Sequence, residues 1–220
     1  MFTARSKRLQ RVFRGSHSEM LETAIKKDLN IPSTEIQHWE DSEHNNHQFV
    51  CPNWTVTRFI DYKAYSGSDV RKEIYNTLEG DVLDICCGTG FSTKPGNTGI
   101  DTSLEMLRFT RIFNPGSNYL YGNAEKYGKN KEFDTISCMF SFHEMPTTAH
   151  EKILRNCIRV AKKEIVIVDI STDYKPSKAM LTGEPYITDY FENVGKTLYD
   201  HGFKKYVLIE KHVDIWKLNL

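Results

Sequence analysis

Beyond residue 80 the chain alternates between two hydrophobic rhythms. Short apolar runs at Val82–Cys86, Asn118–Tyr121, Phe133–Met139 and Glu164–Asp169 end at small or polar residues, as strands buried in a sheet do. Between them, apolar residues recur every three or four positions. Ser103–Phe113 places Leu104, Leu107 and Ile112 on one face with Met106 beside them, and Thr148–Val160 spaces Ala149, Ile153, Cys157 and Val160 by four, four and three. A third helix is expected over Ile187–His201, with Gly202 as its C-terminal cap. Two β-rich runs then follow, Tyr206–Glu210 and Val213–Leu218, separated only by Lys211 and His212, which predicts a terminal antiparallel hairpin. Alternation of this kind implies an α/β sheet.

Before residue 80 the texture differs. Ser16-x-x-Glu19 offers a capping box for a helix to about Leu29, and Ser68 is positioned to cap a helix carrying Val70, Ile74 and Leu78. The intervening stretch Ile31–Pro52 holds Glu40, Asp41 and Glu43 with His38, His44 and His47, whose irregular spacing reads as solvated loop and not as a metal site. Met1–Gly15 carries Arg5, Lys7, Arg8, Arg11 and Arg14, with Leu9, Val12 and Phe13 at helical spacing. That pattern fits a charged surface helix, an organellar transit peptide or an arm touching an anionic ligand; the apolar core of a secretory signal is missing.

Composition narrows the classes. A chain of 220 residues bounds the answer to one elaborated domain or two small ones. Twenty-nine basic residues balance twenty-nine acidic ones, so there is no basic field to draw the protein onto nucleic acid, and no nucleic-acid partner is expected. No apolar stretch approaches the length of a membrane span. Five cysteines form no C-x-x-C pair and no zinc spacing, which suggests reduced thiols in a cytoplasmic protein and no bound metal.

The strongest chemical signal is Asp81-Val82-Leu83-Asp84-Ile85-Cys86-Cys87-Gly88-Thr89-Gly90, a strand running into a turn with two glycines, where backbone can approach a ligand closely. Gly99-Ile100-Asp101-Thr102-Ser103 then puts an acid at the end of the presumed second strand, where a carboxylate can accept from both hydroxyls of a ribose. Nucleoside binding is the expected meaning.

On these residues the chain from 81 to 220 resembles the class I S-adenosylmethionine-dependent methyltransferases, in particular the small-molecule branch that includes the quinone-biosynthesis enzymes. Asp84-x-x-x-Gly88-x-Gly90 resembles the family's first motif and Asp101 its ribose-binding acid. Gly122-Asn123-Ala124-Glu125 resembles the adenine-binding segment, and Phe133-Asp134-Thr135-Ile136 the opening of the fourth strand. Farther on, Val168-Asp169-Ile170-Ser171 resembles the exit of the fifth strand. The resemblance implies a Rossmann-like, doubly wound seven-stranded sheet, mostly parallel with a C-terminal antiparallel hairpin, over residues 80–220. Residues 1–79 would form a helical or irregular extension that caps the site and covers part of the sheet.

It also implies roles. Asp84 and the backbone around Gly88 and Gly90 would meet the amino-acid end of S-adenosylmethionine, Asp101 the ribose, and Asn123, Ala124 and Glu125 the adenine, with Cys86, Thr102 and Met106 also at the cofactor. Met139 and Phe140 would face the sulfonium, with Tyr65 as an aromatic lid. Tyr62, Tyr186 and Tyr190 are expected at a small-molecule methyl acceptor, where aromatic faces can attract a cation. His143 and Glu144, just past the fourth strand, are the candidate bases should the acceptor carry a proton. Arg58, Lys63 and Lys94 are cations that could meet an acidic acceptor.

Two departures from the family stand out. Asn123 replaces the usual adenine-contacting Asp and removes its charge. Only Phe91–Ile100 separate Gly90 from Asp101, and Pro95 and Gly96 forbid the usual three-turn helix. A clipped crossover of about one turn is expected, leaving one sheet face partly bare for the aromatics Trp39, Phe49, Trp54, Phe59 and Tyr62 to cover. A catalytically inactive binding protein and a nicotinamide-dependent oxidoreductase are the competing readings. The second is weakened because Thr93 stands where a third glycine belongs.

Overall fold

A computed structural model of the chain describes residue 65 and residues 67–220. The basic N-terminal segment, the capping box at Ser16, the histidine-containing loop, the aromatics from Trp39 to Tyr62, Cys51, Arg58 and Lys63 lie outside the described residues, as does the expectation that they cover the sheet.

The first described helix is α1 (Val70–Thr77). Its cap is Asp69, one residue beyond the expected Ser68, whose carboxylate accepts from the Lys72 amide at 3.1 Å. A seven-stranded sheet follows: β1 (Val82–Ile85), β2 (Thr98–Asp101), β3 (Asn118–Tyr121), β4 (Phe133–Met139), β5 (Ala161–Ile170), β6 (Lys204–Ile209) and β7 (Val213–Asn219). Its order is β3-β2-β1-β4-β5-β7-β6, with β7 running antiparallel between β5 and β6 and all other neighbours parallel. The hairpin therefore extends the sheet beyond β5 with its second strand inserted against β5 and its first, β6, at the edge. The helices are α2 (Leu104–Phe113), α3 (Thr147–Val160), α4 (Lys178–Gly183) and α5 (Ile187–Asp200), with a 3-10 turn at Phe142–Glu144. No described helix is long and apolar enough to cross a membrane.

β5 shows why its run is apolar at every position. Ile165 and Ile167 pack with Ile153, Leu154, Val194 and Leu198 of α3 and α5, whereas Val166 and Val168 pack with Val70 and Ile74 of α1. Successive side chains alternate faces and both faces are covered, so alternation disappears from the sequence. On the α1 side a smaller cluster of Cys87, Leu104, Leu107 and Tyr119 seats α2 on β2 and β3.

Ile112 corrects the expected inward face of α2: it is 71% exposed, and Thr110 is buried. Two residues on from Thr110, Ile112 lies about 160° around the helix. The inward place belongs to the Thr110 hydroxyl, which donates to the Gly88 carbonyl at 2.8 Å.

The short β1–β2 connection contains no helical turn, contrary to expectation. It is a loop laid over the sheet, with Ser92 and Thr93 buried and hydrogen-bonded to Asp84. The Lys94 ammonium donates to the Leu78 carbonyl at 2.5 Å and so closes the end of α1, which removes it as a candidate for an acidic acceptor.

Gly90 is fixed in this packing by φ +79 and by its neighbours: a Cβ there would lie 2.6 Å from Thr110 Cγ2 and 2.8 Å from the Tyr119 hydroxyl. Gly90→Ala is expected to cost about 2 kcal/mol or more of stability, read as a lower midpoint in chemical denaturation.

Candidate functional site

The strand order reverses between β1 and β4, and in an open parallel sheet the crevice at such a reversal, beyond the carboxyl ends of the strands, is where ligands bind. β1 exits into a turn whose Cys86, Gly88 and Gly90 have φ of 55, 49 and 79. The turn is pinned to β2: the Cys87 amide donates to the Ile100 carbonyl at 2.9 Å, and the Gly88 amide to Asp101 Oδ2 at 2.8 Å. Asp101 Oδ1 accepts from the Ser103 amide at 2.8 Å. These two amides orient the Asp101 carboxylate beside the turn. A Cβ on Gly88 would meet nothing within 4 Å, so open space lies beside the turn's backbone.

Asp84 is placed differently from the expectation. It is 1% exposed, and its oxygens accept from Ser92 and Thr93, both at 2.7 Å, and from Ser137 on β4 at 3.3 Å. Burial raises its pKa from 3.8 to about 6 against the lowering effect of the three hydroxyls. The side chain ties the loop to the sheet below the crevice and does not reach into it.

On the β2–β3 side, Asn123 is buried with Oδ1 accepting from the Glu125 amide at 2.8 Å, while its carbonyl takes the amides of Lys126 and Tyr127. The amide side chain thus shapes the turn. Ala124 is buried, its carbonyl bonded to Asn156 at 2.9 Å. Glu125 Oε2 lies 3.7 Å from the Lys152 ammonium, and its Oε1 is buried without a hydrogen bond, an acceptor that suits the exocyclic amine of an adenine. Thr102 is half-exposed beside Asp101, and Met106 is buried in the first turn of α2. At the exit of β4, Phe140 adopts φ 57 and stacks on Tyr65 at 6.3 Å, with the Arg71 guanidinium 4.3 Å from its ring centre. Met139 is buried among the α1 contacts.

Residues 82–164 match the methyltransferase domain family. The fold around this segment is that of the S-adenosylmethionine-dependent methyltransferases. Among solved structures it is similar to a methyltransferase from Thermotoga maritima, 17% identical over 77% of this chain and 96% of that one, with a TM-score of 0.57. It is also similar to an S-adenosylmethionine-dependent methyltransferase from Aquifex aeolicus, 20% identical over 68% and 89% with a TM-score of 0.51. A methyltransferase from Haloferax volcanii in complex with the activator Trm112 is 12% identical over 80% and 97%, with a TM-score of 0.54. At these identities the likeness is one of fold. No curated protein sequence matches the chain.

S-adenosylmethionine is the donor that the methyltransferase-domain match implies, and the residues present fit it: open backbone at Gly88, an oriented carboxylate at Asp101 and a buried acceptor oxygen at Glu125. Across the crevice the fold builds a second pole. His143, in the 3-10 turn after β4, places Nδ1 2.6 Å from Asp169 Oδ1, and its backbone amide donates to Asp169 Oδ2 at 3.2 Å. Both residues are buried. Burial alone would pull the imidazole down, but the Asp169 charge and hydrogen bond, aided by Glu144 and Glu184, outweigh it and raise the pKa from 6.5 to about 9. Glu144 Oε1 lies 3.8 Å from His143 Nε2.

Asp169 and Glu184 were not singled out from the sequence as site residues. The only signal for Asp169 was a lone acid at the end of the most apolar strand. Tyr190 requires correction: it is fully buried against His143, its hydroxyl donates to the Ile170 carbonyl at 2.5 Å, and it packs the pole from beneath instead of meeting an acceptor. Tyr186 is half-buried at the start of α5. Tyr62 lies outside the described residues.

A buried acid whose folded pKa exceeds its unfolded value holds its proton more tightly when folded. Asp84 therefore costs stability as pH rises through about 4 to 6, and the cost persists above. Asp84→Asn, which keeps an acceptor without the charge, is expected to raise the thermal midpoint at pH 7.5 by an amount corresponding to roughly 1–3 kcal/mol, and to give no gain at pH 4.

Proposed function

We propose that this methyltransferase transfers a methyl group in line to a small-molecule acceptor held over the carboxyl ends of β4 and β5, with His143 receiving the acceptor's proton. The observation that carries this reading is the buried His143–Asp169 couple at the crevice beside the donor turn. When bound, S-adenosylmethionine supplies an electrophilic methyl on a sulfonium. The chain's part is positional and electrostatic. Asp101, held by the amides of Gly88 and Ser103, binds the ribose hydroxyls, and Glu125 takes the adenine amine. The Tyr65–Phe140 stack closes the side nearest α1 and offers an aromatic face to positive charge.

At the other pole, Asp169 accepts from Nδ1–H and so directs Nε2 as the working nitrogen. Asp169 also lies directly opposite Asp214 in the β5–β7 ladder, and Asp214 is neutralised separately by the Lys205 ammonium at 2.9 Å. With each acid matched to its own cation, the imidazolium is the stable resting form, and His143 acts as a base only after losing that proton. Glu144, partly exposed and 3.8 Å from Nε2, is placed to pass the proton toward solvent. The small-molecule assignment draws support from the absence of net basic charge and from the enclosure of the pole by Tyr190 and Phe142. A macromolecular acceptor would need a wider approach.

The donor reading is tested by calorimetric titration with S-adenosylmethionine: binding is expected for the wild type, with at least about tenfold weakening in Asp101→Ala. Incubation with a fractionated metabolite extract and detection of S-adenosylhomocysteine identifies the acceptor fraction, and formation only with macromolecular fractions would refute the acceptor class.

The base reading carries a pH signature. A histidine whose folded pKa is raised contributes stability that is complete below about 6.5 and lost as pH climbs through about 9. In kcat/KM the same group should give a limb rising toward pH 9, and Asp169→Asn should move that limb down by at least about one pH unit while lowering the plateau. A flat profile between pH 6 and 9, unchanged in His143→Asn, would exclude His143 as the base.

A further inference from the structure

Three thiols gather beneath the donor-binding turn on the side of the sheet facing α3. Asp84 on β1 is in register with Ser137 on β4, so the next pair along is Ile85 with Cys138, and Cys86 follows one residue farther. Asp84 and Ser137 share one face, where they hydrogen-bond, and Cys138 faces the other, packed in the cluster that includes Cys157 of α3. Cys86 leaves the strand with φ 55, half-buried, and packs against that same cluster. Cys87 lies on the opposite face with Leu107 and Tyr119, so the vicinal cysteine is not the neighbour in space. Strand spacings of about 4.8 Å across and 3.3 Å along put the Cys86 and Cys138 Cα atoms about 6 Å apart, inside the range that a disulfide spans. A left-handed cysteine is an uncommon occupant of a position that glycine fills without strain.

We propose that Cys86 and Cys138 form a peroxide-sensitive thiol pair whose disulfide weakens binding of the methyl donor at the turn above it; the second half of this statement rests on the donor-binding reading of that turn. Cys86 is the half-buried member and meets the oxidant first. Its thiolate attacks one peroxide oxygen, the O–O bond breaks, and hydroxide leaves to give a sulfenic acid. The Cys138 sulfur then attacks the Cys86 sulfur as its proton and the departing hydroxide form water. In sum, two thiols and one hydrogen peroxide give one disulfide and two waters. The S–S bond of about 2.05 Å draws residue 86 toward β4. Residue 86 is followed directly by the amides of Cys87 and Gly88, which bind Ile100 and Asp101, so the carboxylate that would hold the ribose loses its alignment.

The test treats the full reduced chain with hydrogen peroxide, maps its disulfides by peptide mass spectrometry, and measures S-adenosylmethionine affinity calorimetrically before oxidation, after it, and after dithiothreitol. The expected result is a Cys86–Cys138 linkage, at least about tenfold weaker donor binding, and recovery on reduction. Cys138→Ala should keep the affinity of the reduced wild type and lose the response to peroxide, and Cys157→Ala should keep both. Because Cys138 is buried and its variant can fail to fold, linkage mapping on the wild type decides the pairing by itself. A linkage of Cys86 to Cys51, Cys87 or Cys157, or oxidation stopping at sulfinic acid on Cys86, would overturn the pair. A mapped Cys86–Cys138 disulfide with unchanged donor affinity would overturn its effect. Failure of the reduced protein to bind the donor would refute the reading of the turn, and is seen before any peroxide is added.

Discussion

A single buried carboxylate ties the glycine turn and the loop after it to the sheet. Asp84 sits in the middle of β1, and among the described residues its side-chain hydrogen-bond partners are the hydroxyls of Ser92, Thr93 and Ser137, with no cation. Two of those hydroxyls belong to the loop that replaces a crossover helix. A helix would cover the sheet with an apolar face, which ten residues containing Pro95 and Gly96 cannot supply. The sequence covers it with polar residues that need an acceptor on the sheet, and Asp84 is that acceptor. Burial makes the arrangement costly in charge, hence the raised pKa, and makes each hydroxyl indispensable, since an ionised carboxylate left unsatisfied in the interior would cost several kcal/mol. The loop in turn carries the chain from Gly90 to β2, so the position of Asp101 beneath Gly88 follows from the same three hydrogen bonds.

The opposite pole solves the same electrostatic problem in another way. Asp169 and Asp214 face each other across β5 and β7, both fully buried, and two like charges left unpaired side by side in the interior would be costly. Instead, each has a cation of its own, His143 from the turn after β4 and Lys205 from β6. The insertion of β7 against β5 thus has a chemical consequence as well as a topological one. It places Asp214 next to Asp169 and brings the Lys205 ammonium of β6 within 2.9 Å of Asp214. Tyr190, edge-on to His143 and hydrogen-bonded to the Ile170 carbonyl, excludes water from beneath the pair.

Most of the sheet was legible because burial on both faces writes a continuous apolar run. Val82, Phe133 and Glu164 to Asp169 announce strands whatever their neighbours are, and Ser103 and Gly202 mark helix ends through local hydrogen bonding and positive φ. The glycines of the turn and Asp101 were legible for a similar reason, since their requirements are local. What escaped was set by partners distant in the chain. Asp84 meets Ser137 fifty-three positions away, and His143 meets Asp169 across twenty-six; no periodicity encodes either. Tyr190 looked like a site aromatic because its place in the chain suited one, yet its hydroxyl was claimed by a backbone carbonyl. Ile112 was misplaced because Thr110, a polar residue, takes the inward position in order to bond Gly88, which hydropathy alone scores the wrong way.

Backbone strain connects the two poles. Among the described non-glycine residues with positive φ, Cys86 and Phe140 stand at the exits of β1 and β4, on either side of the point where strand order reverses. A left-handed residue there turns the chain sharply out of its strand. At Cys86 that turn frees the following amides to reach β2; at Phe140 it aims the ring at Tyr65 and Arg71 and lets the next residues form the 3-10 turn that carries His143. Each costs on the order of 1–3 kcal/mol and persists only because surrounding contacts over-determine it. Those contacts are the ones that define the crevice: Ser141 Oγ donates to the Cys86 carbonyl at 3.4 Å, joining the two exits directly. Relaxing either residue would therefore move both the amides that hold Asp101 and the turn that presents His143. That shared dependence couples the glycine turn at the exit of β1 to the His143 turn at the exit of β4.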